Sequence, residues 1–401
     1  MRQNLQEKQT RAADSPGWLD DYAFDLPQEL IAQHPLPRRT ASRLLVLARG
    51  GLAPRHVRFV DIVGLLRRGD VLVLNDTRVF PARLIGRKIP GGGRVELLLC
   101  RAVTPDAWVC LLQMGSGRAR VGQCVRLLRG DGQETDMMAT LHGSVADEPG
   151  AWHVRFDGDA LRFACEHGRV PLPTYMRRKA REEDNARYQT VFARPEKPGS
   201  CAAPTAGLHF DHALLRAVRR QGVRVATVTL HVGPGTFAPV RAENIDDHVM
   251  HPEPWWLSQE TADQLNACRA RGGHIVAVGT TVVRVLETAV RQGRTAMLSG
   301  DTSCKVVKGL DNKSVRWEGG HGLTRLFIRP GFRFAAVDAV LTNFHLPKST
   351  LLMLVAAAVG RERLLAAYRE AIRQRYRFFS YGDACFIEVI DSARDGALLS
   401  N

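Results

Sequence analysis

The sequence predicts an α/β protein that carries a small inserted β-barrel, and three observations lead to this fold class. The chain has 401 residues, 45% of them hydrophobic, which is enough to bury the cores of two or three domains. From residue 211 onward, amphipathic segments that end at glycine alternate with apolar segments, as in α/β units. Residues 80–157 instead contain short alternating segments between turn residues, as in small all-β domains.

The second half of the chain divides into repeated units in which a helix and a strand alternate. Asp211 and Ser258 are placed to cap the first two helices, because their short side chains can accept bonds from free backbone N–H groups. Glycines end both helices, and a third helix begins near Ser349. The strands predicted from their aliphatic and β-branched residues are Val223–Leu230, His274–Val278 and Ala335–Leu341.

Each predicted strand continues into a loop rich in glycine, threonine or histidine. The loops are His231–Phe237, Gly279–Thr281 and Thr342–Lys348. In open parallel sheets, ligands bind beyond the carboxyl ends of the strands. We therefore predict that the three loops form one shared site.

The predicted barrel interrupts the α/β domain. We assign residues 19–79 and 158–401 to a discontinuous α/β catalytic domain and residues 80–157 to the inserted β-barrel domain. Residues 1–18 are polar and are expected to form a disordered extension. The barrel strands are predicted at Arg94–Leu99, Ala107–Leu112, Cys124–Leu128, Met137–His142 and Trp152–Phe156.

The charge and cysteine content limit the class of protein. Lys and Arg outnumber Asp and Glu by 56 to 41, a net charge of +15, which favours RNA or DNA as a partner. A basic background composition would give the same excess. The closest two of the eight cysteines, Cys100 and Cys110, are too far apart for a CxxC metal motif. The longest apolar run, 351–359, is shorter than the ~20 residues that span a bilayer, so we expect a cytoplasmic protein that does not enter a membrane.

Four histidines occupy predicted loops, namely His209, His231, His251 and His345. Each could act as a general acid or base near neutral pH. The alternative for each is a structural role in holding loop carbonyls.

The segment around His251 does not predict a metal site. His248, His251 and Glu253 are close in sequence, but Pro252 and Pro254 prevent the helix that would align them as ligands. We therefore predict no metal. Glu253 is instead interpreted as a fixed carboxylate that can hydrogen-bond a ribose or a cationic ligand.

Two glycine-containing loops could bind a small ligand. Gly233-Pro234-Gly235-Thr236 and Gly279-Thr280-Thr281 expose backbone N–H groups that can hold anionic or hydroxylated groups. Neither matches the phosphate-loop or dinucleotide-binding motif. Tyr381-Gly382-Asp383 is either a tight turn or an edge on which bases stack.

Together these motifs resemble one family, the S-adenosylmethionine:tRNA ribosyltransferase-isomerases of queuosine biosynthesis. The resemblance runs nearly end to end. Its motifs are FDLPQELIAQHPLPRRTASRLLVL at 24–47, LNDTRVFPARL at 74–84, APTAGLHF at 203–210, TLHVGPGTF at 229–237, MHPE at 250–253, AVGTTVVRVLE at 277–287, TNFHLPKSTLLML at 342–354 and FSYGDA at 379–384.

The resemblance implies a reaction. The enzyme would transfer and isomerise the ribosyl part of S-adenosylmethionine onto 7-aminomethyl-7-deazaguanine at the wobble position of tRNA. Epoxyqueuosine-tRNA would form, with release of adenine and methionine. The resemblance also implies a monomer in which S-adenosylmethionine is a co-substrate, with neither a metal nor a permanently bound cofactor.

On this basis we assign expected roles to individual residues. Proton transfer is expected from His209, His231, Glu253 and His345. Substrate binding is expected from Thr205, Gly207, Phe210, Gly233, Gly235, Thr236, Phe237, His251, Gly279, Thr280, Thr281, Arg284, Asn343, Lys348, Ser349 and Asp383. RNA binding is expected from Arg78, Arg83, Arg177, Arg178 and Arg377.

Two alternatives of other classes remain open at this point. A methyltransferase would also use S-adenosylmethionine, but would release S-adenosylhomocysteine. A non-catalytic RNA-binding protein would explain the charge but not the histidine-containing loops.

Overall fold

Two β-structures, a mixed sheet and a closed barrel, organise the chain. The structure is a computed structural model that describes residues 17–146, 148–173, 175–178, 180–233, 240, 242–298 and 315–389. The strands are β1 Arg43–Leu47, β2 Arg55–Arg58, β3 Val71–Asn75, β4 Arg78–Val79, β5 Arg83–Ile89, β6 Arg94–Thr104, β7 Ala107–Met114, β8 Cys124–Leu128, β9 Glu134–Ser144, β10 Ala151–Phe156, β11 Pro198–Ser200, β12 Arg224–Leu230, β13 Glu253–Leu257, β14 Ile275–Val278, β15 Gly320–Thr324, β16 Ala339–Asn343 and β17 Ala384–Glu388.

Helices cover both faces of the mixed sheet. The α-helices are α1 Ala160–His167, α2 Glu182–Arg187, α3 His212–Arg220, α4 Gln259–Ala270, α5 Thr280–Leu298, α6 Thr350–Val359 and α7 Arg361–Arg373. Among the short 3-10 helices are Arg39–Ala41, Phe59–Leu65 and Thr205–His209.

The mixed sheet has nine strands in the order β15-β13-β12-β3-β14-β16-β17-β1-β2. Its four central strands, from β12 to β16, are mutually parallel. β13 and β15 extend one side antiparallel, and β17 is antiparallel to β16 on the other side. The alternation of helices and strands was therefore predicted correctly, while the antiparallel outer strands were not.

Three predicted helix starts are confirmed by their caps. The Asp211 carboxylate accepts from Leu214 N at 2.7 Å, the Ser258 hydroxyl accepts from Thr261 N, and the Ser349 hydroxyl accepts from Leu352 N. Each bond satisfies one of the backbone donors that a helix leaves unpaired at its first turn.

The start of the third predicted strand was wrong. The strand begins at Ala339 rather than Ala335. The N–H groups of Ala335 and Ala336 instead donate to the buried Glu287 carboxylate, at 3.1 and 2.9 Å. Because these donors are taken, the chain joins the sheet only after Asp338.

The inserted β-structure is a closed six-stranded barrel in the order β10-β7-β6-β5-β8-β9, with β9 paired to β10. An α/β domain with a small barrel is therefore confirmed as the fold class. The barrel strands span residues 83–156, inside the range predicted for the inserted domain. β5 was not among the strands named from the sequence, because its segment, RLIGRKI, is rich in charge.

Gly86 in strand β5 lies where the neighbouring strand leaves no room for a side chain. A Cβ at this position would lie 2.7 Å from the carbonyl oxygen of Arg126 and 2.5 Å from a methyl carbon of Val125. The neighbouring strand thus approaches too closely for any side chain.

The start of the chain is described only from Gly17. Trp18 forms an isolated bridge with Asn244 on the α/β domain, while residues 1–16 lie outside the described residues. Among the described helices, none is both long and apolar enough to cross a membrane.

Glu287 provides a test of how the fold is held. We expect Glu287→Ala to lower the free energy of unfolding by about 3 kcal/mol or more, because two buried N–H groups and the Arg291 guanidinium lose their acceptor. Urea denaturation measures the change, with the exposed Glu362→Ala as the control. Equal midpoints for the two variants would contradict the assignment.

Candidate functional site

The carboxyl ends of β12, β3, β14 and β16 meet along one edge of the mixed sheet. The chain segments that leave this edge begin at His231, Asp76, Gly279 and Phe344. The three loops that the sequence singled out therefore begin at the same edge. Gly235, Thr236 and Phe237 of the first loop lie outside the described residues.

His231 follows β12 directly and is held by hydroxyl groups from two other segments. Its Nδ1 lies 2.8 Å from Thr77 Oγ1, which lies 2.7 Å from Ser200 Oγ. Ser200 Oγ in turn accepts from Val232 N at 2.8 Å. Within the described part of the chain, no hydrogen-bond partner reaches His231 Nε2. The imidazole is thus oriented through one nitrogen while the other is available.

The surroundings of His231 favour its neutral form. Burial lowers its pKa from the ordinary 6.5 to about 4, and nearby Asp76 opposes this shift while Lys197 adds to it. The ring packs edge-on against Trp256, with centroids 4.9 Å apart. It also contacts Gly199, where a Cβ would lie 2.5 Å from Nε2. A neutral imidazole at pH 7 can accept a proton.

Asp76 anchors a group of polar side chains beside His231. The carboxylate is fully buried. It accepts from Thr229 Oγ1 at 2.6 Å and from Lys197 Nζ at 2.8 Å, and it forms an ion pair with Arg194 Nε at 3.0 Å. Arg194 also lies 3.9 Å from Glu196, so the two cations of this group are matched by two carboxylates.

Glu253 is buried and fixed, as its sequence context predicted. Its Oε1 accepts from Gly233 N at 2.8 Å, and its Oε2 accepts from the Arg284 guanidinium. Arg284 also donates to Leu326 O at 3.1 Å. The pair therefore ties Gly233, where the loop after β12 starts, to α5, and both carboxylate oxygens are engaged in doing so.

The amino terminus of α5 points at the same edge. Thr280 and Thr281 are buried there, and the Thr281 hydroxyl accepts from Asn75 Nδ2 at 3.3 Å. Gly279 has a φ of 92°, which only glycine adopts readily, and its N–H donates to Leu341 O. The unpaired N–H groups of a helix start favour an anionic ligand group.

His209 is enclosed on both sides by protein groups. Asn343 Nδ2 donates to its Nε2 at 3.1 Å, so its Nδ1 carries the proton and donates to Ser42 Oγ at 2.7 Å. The ring stacks on Phe59, and burial lowers its pKa to about 3. These contacts favour a structural role.

His345 is also buried and bonded within its own loop. Its Nε2 lies 2.8 Å from Thr342 Oγ1, and its backbone N–H donates to the Tyr368 hydroxyl. Burial lowers its pKa to about 3. The ring is therefore neutral at pH 7 and helps to close the turn after β16.

Three predicted substrate-binding residues surround His209 rather than His231. Thr205 and Gly207 belong to the 3-10 helix that carries His209, and Phe210 is fully buried against Phe59. A Cβ on Gly207 would lie 2.6 Å from the Phe192 ring. This segment is packed as a support for the sheet.

Four other predicted residues make contacts within the fold. Lys348 pairs with Asp20 at 2.6 Å, and Ser349 caps α6. Asp383 accepts from the backbone N–H groups of Arg43 and Arg377, and Gly382 N donates to Phe379 O, so Tyr381-Gly382-Asp383 is a turn. His251 lies 3.8 Å from Glu148 on the barrel.

Of the five arginines expected to bind RNA, three make hydrogen bonds or ion pairs within the protein and two are exposed. Arg178 makes a two-pronged pair with Asp184, at 2.6 and 2.8 Å, and Arg377 donates to His34 O. Arg83 pairs with Glu96 at 3.2 Å. Arg78 and Arg177 are exposed.

A cavity of about 990 Å³ opens beside His231. Sequence patterns gave no role to the cations in its wall, because neither Arg194 nor Lys197 belongs to a motif. Trp256 has 41% of its surface exposed. The lining includes His231, Trp256, Lys197, Arg194, Thr229 and His321.

In the part of the chain that the structure describes, no group of three or more His, Cys, Asp or Glu side chains is arranged to hold a metal.

Comparisons with known proteins agree with the motifs. The family model described as "Queuosine biosynthesis protein" matches residues 19–387. The S-adenosylmethionine:tRNA ribosyltransferase-isomerase of Anaeromyxobacter sp. (strain Fw109-5) is 47% identical over 376 residues, 93% of this chain and 99% of that protein. The protein of the same name from Anaeromyxobacter sp. (strain K) is 49% identical over 92% of this chain and 99% of its own.

Solved structures are similar as well. The S-adenosylmethionine tRNA ribosyltransferase of Thermotoga maritima is 35% identical, and the match covers 92% of this chain and 99% of that one, with a TM-score of 0.48.

The buried histidines predict how stability depends on pH. His209, His231 and His345 bind protons more weakly in the folded state than in the unfolded one, where the pKa is about 6.5. Stability therefore falls as the pH drops below 6.5, by up to about 1.4 kcal/mol per pH unit for each histidine. Urea denaturation between pH 7 and 5 measures this slope. We expect His345→Gln to flatten it and the exposed His212→Gln to leave it unchanged; equal slopes in both variants would contradict the assignment.

Proposed function

This chain belongs to the S-adenosylmethionine:tRNA ribosyltransferase-isomerase family of queuosine biosynthesis, and we propose that it carries out this reaction with His231 as the proton acceptor. The ribosyl moiety of S-adenosylmethionine is transferred and isomerised onto 7-aminomethyl-7-deazaguanine at the tRNA wobble position. Epoxyqueuosine-tRNA forms, and adenine and methionine are released. The observation that carries the assignment of His231 is its buried, neutral imidazole beside the cavity of about 990 Å³.

The first step requires a positioned base. A proton is removed from the carbon beside the sulfonium, whose positive charge stabilises the resulting carbanion. Neutral imidazole is available at pH 7 because burial keeps the pKa of His231 near 4. A base of such low pKa is a weak acceptor, and the sulfonium lowers the barrier to proton removal without abolishing it.

Thr77 and Ser200 support proton uptake at Nε2. When Nε2 accepts a proton, Nδ1–H donates to Thr77 Oγ1, and the Thr77 hydroxyl donates to Ser200 Oγ. The ring then keeps its orientation through the proton transfer, as a hydrogen bond at the second nitrogen does for many catalytic histidines.

The other predicted residues divide into binding and positioning groups. Glu253 and Arg284 hold the loop that begins at Gly233, so Glu253 acts by positioning that loop. Thr280 and Thr281 at the start of α5 supply donors for a carboxylate or ribose group of the co-substrate. The contacts of His209 and His345 support structural roles in place of proton transfer.

The proposal extends to the partner and the setting. The net charge of +15 supports tRNA as the macromolecular substrate. The family resemblance supports a monomeric cytoplasmic enzyme that uses S-adenosylmethionine as co-substrate and holds no metal or permanent cofactor.

Product analysis tests the reaction. An anticodon stem-loop containing 7-aminomethyl-7-deazaguanine is incubated with the protein and S-adenosylmethionine, and the RNA mass and free adenine are measured. We expect a ribosyl-derived mass gain with one adenine per modified RNA. A methyl-sized gain with S-adenosylhomocysteine would identify a methyltransferase, and unchanged RNA with retained binding would identify a binding protein.

Substitutions at the proposed base test its role. His231→Gln should lower kcat by about 10²-fold or more, because proton transfer in the first step is lost. Thr77→Val should lower kcat by about tenfold, with a displaced pH profile, because Nδ1–H loses its acceptor. Thr104→Val, at an exposed barrel position, is the matched control. Near-normal adenine release by His231→Gln would refute the assignment.

A further inference from the structure

A second, much smaller cavity of about 20 Å³ lies on the same edge of the sheet, near the ends of β16 and β1. Three of its lining residues are Arg38, Arg39 and Arg187, and we call it the arginine pocket. It lies next to His209, which is bonded to Asn343 at the end of β16 and to Ser42 before β1. Its lining also includes Ser42, Ser380 and Tyr381.

The two half-buried arginines of this pocket are bonded to carbonyl oxygens alone. Arg39 donates to Leu208 O at 3.2 Å and to Ala186 O at 2.9 Å. Arg187 donates to two carbonyl oxygens of the 36–37 segment, at 2.6 and 3.0 Å. No described carboxylate lies within ion-pair distance of either, and Arg187 Nε is buried without a partner among the described residues.

The nearby acids are already engaged with other groups. Asp184 is held by Arg178 through two bonds and accepts from the Tyr381 hydroxyl at 3.0 Å. Asp383 accepts from two backbone N–H groups. The pocket therefore keeps a local excess of positive charge.

This excess is unfavourable in the free protein. Burial lowers the pKa of Arg39, and the charge of Arg187 lowers it further, against smaller opposing effects of Tyr381 and Asp211. Arginines that are held in place but lack an anion can bind an oxyanion through two parallel N–H bonds.

We propose that the arginine pocket binds an oxyanion, namely a backbone phosphate of the RNA substrate outside the modified nucleotide. The inference rests on the proposed function for the identity of the RNA. The bonds to carbonyl oxygens hold the guanidinium groups of Arg39 and Arg187 in place, and their remaining N–H groups donate to the phosphate oxygens.

Distance favours a phosphate over the carboxylate of S-adenosylmethionine. Three inter-strand steps of about 4.8 Å separate β12 from β16, so the pocket lies about 14 Å or more from His231. The four bonds from the sulfur to the carboxyl carbon of the co-substrate span at most about 6 Å. A co-substrate that reacts at His231 therefore cannot reach the pocket with its carboxylate.

The test combines a variant with a change in the RNA. Each phosphate of the anticodon stem-loop is replaced in turn by an uncharged methylphosphonate, and binding to wild type and to Arg187→Gln is measured. We expect one position outside the modified nucleotide at which replacement weakens binding to wild type by about tenfold and has no effect on the variant. The variant should also show a shallower salt dependence, by about 0.7 in the logarithmic slope.

Matched controls separate this site from general charge effects. Arg271→Gln removes the same charge from an exposed position at the opposite edge of the sheet and should leave the position-specific loss intact. Arg39→Lys keeps the charge but loses the two-pronged geometry, and should also weaken RNA binding. It serves as the test variant if Arg187→Gln fails to fold.

The outcomes are distinct. A higher KM for S-adenosylmethionine with unchanged RNA affinity would overturn the phosphate assignment in favour of the co-substrate carboxylate. Equal losses in wild type and variant at every phosphate would overturn the pocket altogether. Adenine release by wild type on the unmodified-backbone RNA tests the proposed reaction separately, so its failure is not confused with failure of the pocket.

Discussion

The site depends on the way Asn75 continues the pairing between β3 and β12. Its side-chain oxygen accepts from Leu230 N and its side-chain nitrogen donates to Leu230 O, both at 3.0 Å. The side chain thus replaces a backbone residue in the ladder, which frees the main chain after Asn75 to turn away towards the barrel. His231 follows Leu230 directly, so this pair of bonds fixes the backbone position from which the imidazole side chain extends.

The same departure of the chain creates the polar shell around His231. Asp76 and Thr77 come directly after Asn75, and they meet Lys197 and Ser200 on the strand-like segment that returns from the barrel. The segments that connect the barrel to the α/β domain therefore also supply the polar side chains around His231. The barrel core continues this contact, because Phe80 and Cys201 from the junction pack among its buried side chains.

Sequence patterns predicted what is local and missed what depends on distant contacts. Helix caps such as Asp211 and Ser258, and the strands beside them, follow from neighbouring residues. Glu253 was identified as a fixed carboxylate because two prolines flank it. Thr77 and Ser200 received no role, because they are 123 residues apart and become partners only in the folded chain. For the same reason, the engagement of both His209 nitrogens could not be deduced from a loop motif.

The order of strands in the mixed sheet also constrains synthesis on the ribosome. β1 pairs with β17, and Arg43 and Asp383 at their starts are 340 residues apart. β1 can pair with β2 at once, but at about 5–20 residues per second it waits roughly 20 to 70 s for β17 on its other side. The barrel, whose strands all lie within residues 83–156, can close long before then. The nascent chain therefore carries a complete barrel beside an incomplete sheet. Groups other than β17 must shield the apolar residues of β1 from water until translation is nearly complete.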